Sequence, residues 1–177
     1  MNGGRDLARR GLLLALMGAG LAGCGFRPIY ATRPDGVGKV QDRLGDINVL
    51  LIPERSGQLL RQALQARLEH GGEGRAPRYD LSVQYALSTE PIAIQRDNST
   101  SRVRVIGTAS WALLAQDAQR RTIASGTVRE VDGYNYINQQ FFASELTSQA
   151  VQRRLSEALA AQITTQLAMH FSRQAGG

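Results

Sequence analysis

From Tyr79 to Leu87 the chain alternates between apolar and polar positions. Tyr79, Leu81, Val83, Tyr85 and Leu87 fall on one side, and Asp80, Ser82, Gln84 and Ala86 on the other. Side chains of a strand point to opposite faces in turn, so this pattern predicts a half-buried β-strand. Arg102 to Leu114 repeats it. Val103, Val105, Ala109, Trp111 and Leu113 form one face, and Arg102, Arg104, Thr108 and Ser110 lie mostly on the other. Asp97, Asn98 and Ser99 supply turn chemistry between the two, and a turn at 117–119 leads to a third, less regular strand over Thr122 to Val131. Earlier, Asp46 to Pro53 (DINVLLIP) is a short apolar run stopped by proline, the mark of a buried strand.

Two stretches follow the helical period instead. Leu60, Leu64 and Leu68 form a stripe after Ser56, a candidate N-cap, and Gly71 and Gly72 end it. Phe141 to about Phe171 holds neither proline nor glycine. Phe142, Leu146, Ala150, Leu155, Leu159, Ile163, Leu167 and Phe171 recur there mostly every four residues. Tyr134, Asn135 and Tyr136 link this helix to the last strand, with aromatics suited to packing on it or to touching a partner. The order is β-α-β-β-β-α. It predicts an α+β two-layer sandwich, with a four-stranded mixed sheet and two helices on one face. The first two strands should be parallel and the last three an antiparallel meander. The far sheet face should be polar and left for solvent or a partner.

The N-terminal region has a different character. Arg5, Arg9 and Arg10 precede an uncharged stretch from Gly11 to Gly23. As a helix it would span about 20 Å, well short of a bilayer core of about 30 Å. It reads as a removable export signal over residues 1–23. The stretch closes on Leu21-Ala22-Gly23-Cys24, which resembles the lipobox of bacterial lipoproteins, and Cys24 is the chain's one cysteine. In that motif the thiol is diacylated and the cysteine becomes the new N-terminus. The same resemblance favours the outer membrane, because Gly25 rather than Asp follows the cysteine. Two or more acyl chains hold a protein firmly on a bilayer. Residues 24–45, with Pro28, Pro34, Gly36 and Gly38, read as a lipidated flexible tether, leaving a single domain over 46–177. The run Gly36-Val37-Gly38-Lys39 lacks phosphate-loop spacing.

Charge narrows the partners. The formal net charge is +6, and Lys39 is the sole lysine, so the cations are arginines. An exported, tethered chain rarely meets nucleic acid, which leaves phosphorylated lipids or an acidic protein surface. Catalysis finds little support. His70 and His170 have no partner at metal-ligand spacing, and no Gly-x-Ser-x-Gly elbow is present. No cofactor motif is found.

Several local patterns occur together: Cys24-Gly25-Phe26-Arg27-Pro28-Ile29-Tyr30, Arg55-Ser56-Gly57-Gln58-Leu59-Leu60-Arg61, Ile94-Gln95-Arg96-Asp97, Tyr134-Asn135, and a final helix with Arg153-Arg154-Leu155 and Leu159-Ala160-Ala161-Gln162-Ile163. In this order they resemble the LPS-assembly lipoprotein family, LptE, over essentially the whole mature chain. The resemblance implies a lipoprotein of the outer membrane that faces the periplasm. Such a protein sits partly inside the lipopolysaccharide-exporting β-barrel LptD as a plug, assists its assembly, and binds lipopolysaccharide during insertion into the outer leaflet. It also implies that an arginine in the loop between strands two and three contacts the ligand, a position that Arg96 fills. Arg102 and Arg104, on the polar side of the next strand, are further candidates, since an Arg fork matches a phosphate bidentately. Arg120 and Arg121, at the other end of that strand, read as turn residues. The alternative is an accessory lipoprotein of another envelope lipid-transport or assembly machine. A lipid-modifying enzyme is a third, weaker reading.

Replacing Cys24 with alanine should abolish incorporation of radiolabelled palmitate into the chain and leave residues 1–23 uncleaved. Equal labelling of the variant and the parent would refute the assignment.

Overall fold

The computed structural model describes residues 37–68, 76–94, 100–135 and 141–175. They belong to one unit, Thr32–Gly177. Helix α1 (Val37–Gly45) leads into strand β1 (Ile47–Val49) and helix α2 (Glu54–Leu68). Strands β2 (Tyr79–Ile94), β3 (Thr100–Ala115) and β4 (Thr122–Asn135) follow, and helix α3 (Phe141–Ala175) completes the order. The sheet runs β1-β2-β3-β4. β1 is parallel to β2, with Ile47 opposite Tyr79 and Val49 opposite Leu81. β2, β3 and β4 form the expected antiparallel meander.

The strands alternate as the sequence predicts. Leu81, Val83, Ala109, Trp111, Leu113 and Val128 face the helices and are buried. β2 and β3 have 16 residues each, about 53 Å at strand rise, and the 35 residues of α3 make a helix of about 52 Å. A single helix therefore runs the length of the meander. Leu159, Ile163, Leu167 and Phe171 join the main core with the lower part of the sheet. Val151 and Leu155 pack with Val103 and Val105 in a second cluster, with Leu87 and Tyr134 at its border. Tyr134 thus takes the packing role.

Three features depart from the sequence reading. First, residues 37–45 are not a flexible tether. They form α1, whose Val40 and Leu44 enter the main core, so three helices accompany the sheet instead of two. Val37, Val40 and Leu44 are its apolar positions, in nine residues that also hold Gly38 and Gly45, and so short a pattern among glycines is easily read as linker. Arg43 lies over the Phe171 ring at 5.8 Å and also donates to Gln174 Oε1 at 3.1 Å.

Second, the apolar run 46–53 is strand for only three residues. Leu50 N still donates to Leu81 O at 3.0 Å, but Leu51 then turns to solvent at 74% exposure and Ile52 turns back into the core. Pro53 imposes an extended conformation on its predecessor, and α2 begins at once with Glu54, two residues before the expected cap, at a φ of 66°. Ile52 presses on the first turn of α2 at Gly57. A Cβ there would lie 2.7 Å from Ile52 Cγ2 and 3.0 Å from its carbonyl oxygen, so only glycine fits.

Third, the stripe of α3 does not stay buried to its N-terminus. Phe142 is 84% and Leu146 68% exposed, while Ser144 and Val151 turn inward. Leu146 precedes Leu155 by nine residues, about two and a half turns, so it points away from the buried face. A spacing of four held over many turns drifts around a helix of 3.6 residues per turn.

Leu44→Ala should lower unfolding free energy by about 2 kcal/mol in urea titration, because it removes a buried leucine from the core edge. Leu146→Ala should change it by less than about 0.5 kcal/mol. Equal effects would mean that α1 is not part of the folded core.

Candidate ligand-binding face

The outer sheet face carries the side chains that point away from the helices. Its two ends differ in chemistry. At one end β3 begins, and Arg102 stands opposite Asn135 of β4 while Arg104 stands opposite Gly133. Both arginines are exposed. Arg104 makes a loose ion pair with Glu90 of β2 at 3.7 Å, with both side chains about half exposed. Such a pair is worth little in water, so the guanidinium stays available to a ligand. Cys24 and Arg96 lie outside the described residues, as does Tyr136.

This face is less polar than the sequence implied. Ile106 of β3 pairs with Val131 of β4 on it, the first buried to 7% exposure and the second 45% exposed. Two residues further along, Thr108 pairs with Arg129, which is exposed on the same face. At strand rise, Arg102 and Arg104 stand about 7 Å apart along β3, and Arg129 lies about 14 Å from Arg104. Cations therefore border an apolar centre on both sides. Arg129 escaped the sequence reading because the alternation in β4 is interrupted by Ser125, Gly126 and Glu130; only the register with β3 fixes its face. Arg forks beside branched aliphatic side chains can hold an amphiphile, with phosphates on the forks and acyl chains on the apolar strip.

The other end is structural. Asp80 is buried on the outer face and accepts hydrogen bonds from Asn48 Nδ2, Gln116 Nε2 and Arg120, each at 2.9 Å. Burial pushes its carboxyl up, but the bonds from Asn48 and Gln116 and the Arg120 guanidinium outweigh this and hold it below the ordinary value. Arg120 reaches it from the β3–β4 turn, where its φ is 46°. Arg121 pairs with Asp117 at 2.9 Å across the same turn. Both are turn residues, as the sequence suggested; Arg120 supports a buried carboxylate, while Arg121 pairs at the surface with a partly exposed one.

No group of three or more potential metal ligands occurs among the described residues. His170 lies edge-on to Phe171 and within hydrogen-bond distance of Gln174. No described helix is long and apolar enough to cross a membrane.

The lipopolysaccharide-assembly family model LptE matches residues 44–167, from the end of α1 to the last turns of α3. The chain belongs to the LptE family. The match covers the whole sheet, including Arg102, Arg104 and Arg129. Solved structures share the fold. A Caulobacter crescentus chain described as a lipoprotein is 23% identical, with a TM-score of 0.59, over 76% of this chain and 96% of that one. Rare lipoprotein B from Shewanella oneidensis is 11% identical, with a TM-score of 0.55, over 72% and 96%. Lipoprotein B from Nitrosomonas europaea is 12% identical, with a TM-score of 0.53, over 71% and 82%. A comparison with curated proteins finds no match.

Asp80→Asn should lower stability at pH 7 by about 1 kcal/mol, since hydrogen bonds to a charged acceptor are lost in part and the Arg120 contact is half exposed. The sign of the pH dependence follows from the lowered carboxyl. Its contribution is complete above the ordinary Asp value of about 3.9 and is lost as pH falls through the lower folded value. Urea midpoints of parent and variant should therefore converge below about pH 4. A gap that stays constant down to pH 2 would show that the carboxylate charge is not what matters.

Proposed function

We propose that this LptE-family chain is an outer-membrane lipoprotein, held by acyl chains on Cys24 and facing the periplasm. In this reading it sits partly inside the lipopolysaccharide-exporting β-barrel LptD as a plug, assists assembly of that barrel, and binds lipopolysaccharide on its way to the outer leaflet. Its role is binding rather than catalysis. Family membership supports the pathway. The observation that carries the ligand is the outer face, where Arg102, Arg104 and Arg129 flank Ile106 and Val131. Lipopolysaccharide offers phosphates and acyl chains in one molecule, and this face offers forks and apolar surface in one plane. Arg96, between β2 and β3 in sequence, would add a further fork.

The chemistry favours this end of the sheet over the other. Arg102 makes no ion pair with a described residue, and Arg104 has a long, exposed one. Arg120 and Arg121 are each engaged at 2.9 Å. A phosphate arriving at the first pair displaces water and a weak partner. At the second, Arg120 would have to give up the support of a buried carboxylate, and Arg121 a close, two-nitrogen contact with Asp117.

Replacing Arg96, Arg102 and Arg104 together with alanine should weaken binding of lipopolysaccharide to the purified protein by about tenfold or more, the loss of one charge-assisted contact of roughly 1.5–3 kcal/mol. Stability should move by less than about 0.5 kcal/mol. Arg121→Ala is the control and should leave binding unchanged. Raised salt should mimic the triple variant in part. Unchanged binding in the triple variant at low salt would overturn the assignment of this face. Separately, full depletion of the protein should lower assembled barrel and surface lipopolysaccharide together. Normal levels of both would favour an accessory role in another envelope machine.

A further inference from the structure

We propose that residues 122–128 of β4 form a strand-addition site for an extended, acidic segment of a partner polypeptide. β4 is the last strand of the sheet, so one row of its backbone N–H and C=O groups has no strand beside it among the described residues. Free edges recruit other strands, and folded proteins usually guard them with charge, proline or bulges. Parts of this sheet follow that rule. The edge of β2 beyond Leu81 is uncharged and free of proline from Ser82 to Thr89, then meets Glu90 and Pro91, where its register slips as far as Ile94. The upper part of β4 carries Arg129, Glu130 and Asp132. From Thr122 to Val128 the edge again has no charge and no proline, and threonine, isoleucine and valine favour a strand; what sets this stretch apart is the groove beside it.

Beside this unguarded stretch lies a groove of about 500 Å³, between residues 124–127 and Gln166, Met169, His170 and Arg173 of α3. Gly126 keeps its floor open. A Cβ there would come within 2.8 Å of Gln166 Oε1 and 2.9 Å of the Trp111 ring. Gln166 is fixed by the Trp111 Nε1 donor at 3.0 Å, so the wall is built rather than loose. Met169 is 41% exposed and offers a deformable apolar contact. An edge strand flanked by a helix is a geometry in which main-chain bonds supply affinity and alternate side chains fill the groove. Charge selects the occupant. Arg173 stands at the rim, exposed, and no carboxylate lines the groove. The site lies at the Thr122 end of β4, opposite the end where Asn135 meets Arg102, and is separate from the proposed lipopolysaccharide face.

Hydrogen exchange of the full chain in detergent, followed by mass spectrometry, tests this site with a capped hexapeptide alternating valine and glutamate. Its valine–lysine counterpart serves as the comparison. The acidic peptide should slow exchange of amides in 122–128 by about tenfold at saturation, leaving the β2 edge at 82–92 unchanged. Arg173→Glu, on an exposed helix position, should reverse the preference to the basic peptide. Absence of protection up to millimolar peptide would overturn the proposal, as would equal protection by both peptides. Protection of 122–128 that rises with protein concentration in the absence of peptide would also overturn it, by assigning the edge to a second copy of the chain.

Discussion

The buried face of α3 supports the whole domain. Leu155, Leu159, Ile163, Leu167 and Phe171 are at most 2% exposed, and they lie against side chains from β2, β3 and β4. Burying each is worth roughly 1.5–3 kcal/mol before chain entropy is counted. The meander without this helix would expose one complete apolar face, and strands of 14 to 16 residues are too long to be covered by α2 alone. The matched length of helix and strands sets how far the sheet can extend, and therefore how far the outer-face arginines stand from α1. Phe171 stacks near Tyr79 at 5.5 Å and meets Arg43 of α1, so the same helix ties the two ends of the folded chain together.

What the sequence made legible follows from periodicity. In β2 and β3 the alternation is clean because one face is buried and the other is wet, and the face of each residue could be read almost position by position. Tyr85 and Ala109, both placed on the apolar side, are direct partners in the sheet. β1 and α1 were harder for the same physical reason. Ile47–Val49 offers three residues to a period of two, and α1 offers two core positions to a period of 3.6. With so few repeats, pattern fixes the phase only weakly. The exposed Phe142 and Leu146 show the opposite failure, a pattern followed so far that small errors in the period accumulate.

The candidate face was half legible. Arg102 and Arg104 alternate within a single strand, so their common side is a local property. Arg129 belongs to the same surface only through the pairing of Thr108 with Arg129, and Ile106 only gains meaning beside Val131. Cross-strand neighbours are set by register between segments some twenty residues apart, and no local pattern carries that information. An apolar strip bordered by cations is therefore a tertiary feature assembled from residues that look ordinary one strand at a time.

The same residue type does opposite work at the two ends of this sheet, and solvent decides which. Asp80 is withdrawn from water, so its charge needs compensation from the fold, and Arg120 must stay to supply it. Glu90 is half exposed, so water satisfies it whether or not Arg104 is there. An arginine that faces a buried carboxylate is held by the penalty of leaving it. An arginine that faces an exposed one is free to exchange it for a better anion. In the proposed reading a phosphate with attached acyl chains would be such an anion, because its apolar part would also cover Val131, 45% exposed, beside the already buried Ile106. Binding at this end would then strengthen both contacts at once: excluding water along the apolar strip lowers the local dielectric in which the arginine–phosphate pairs form.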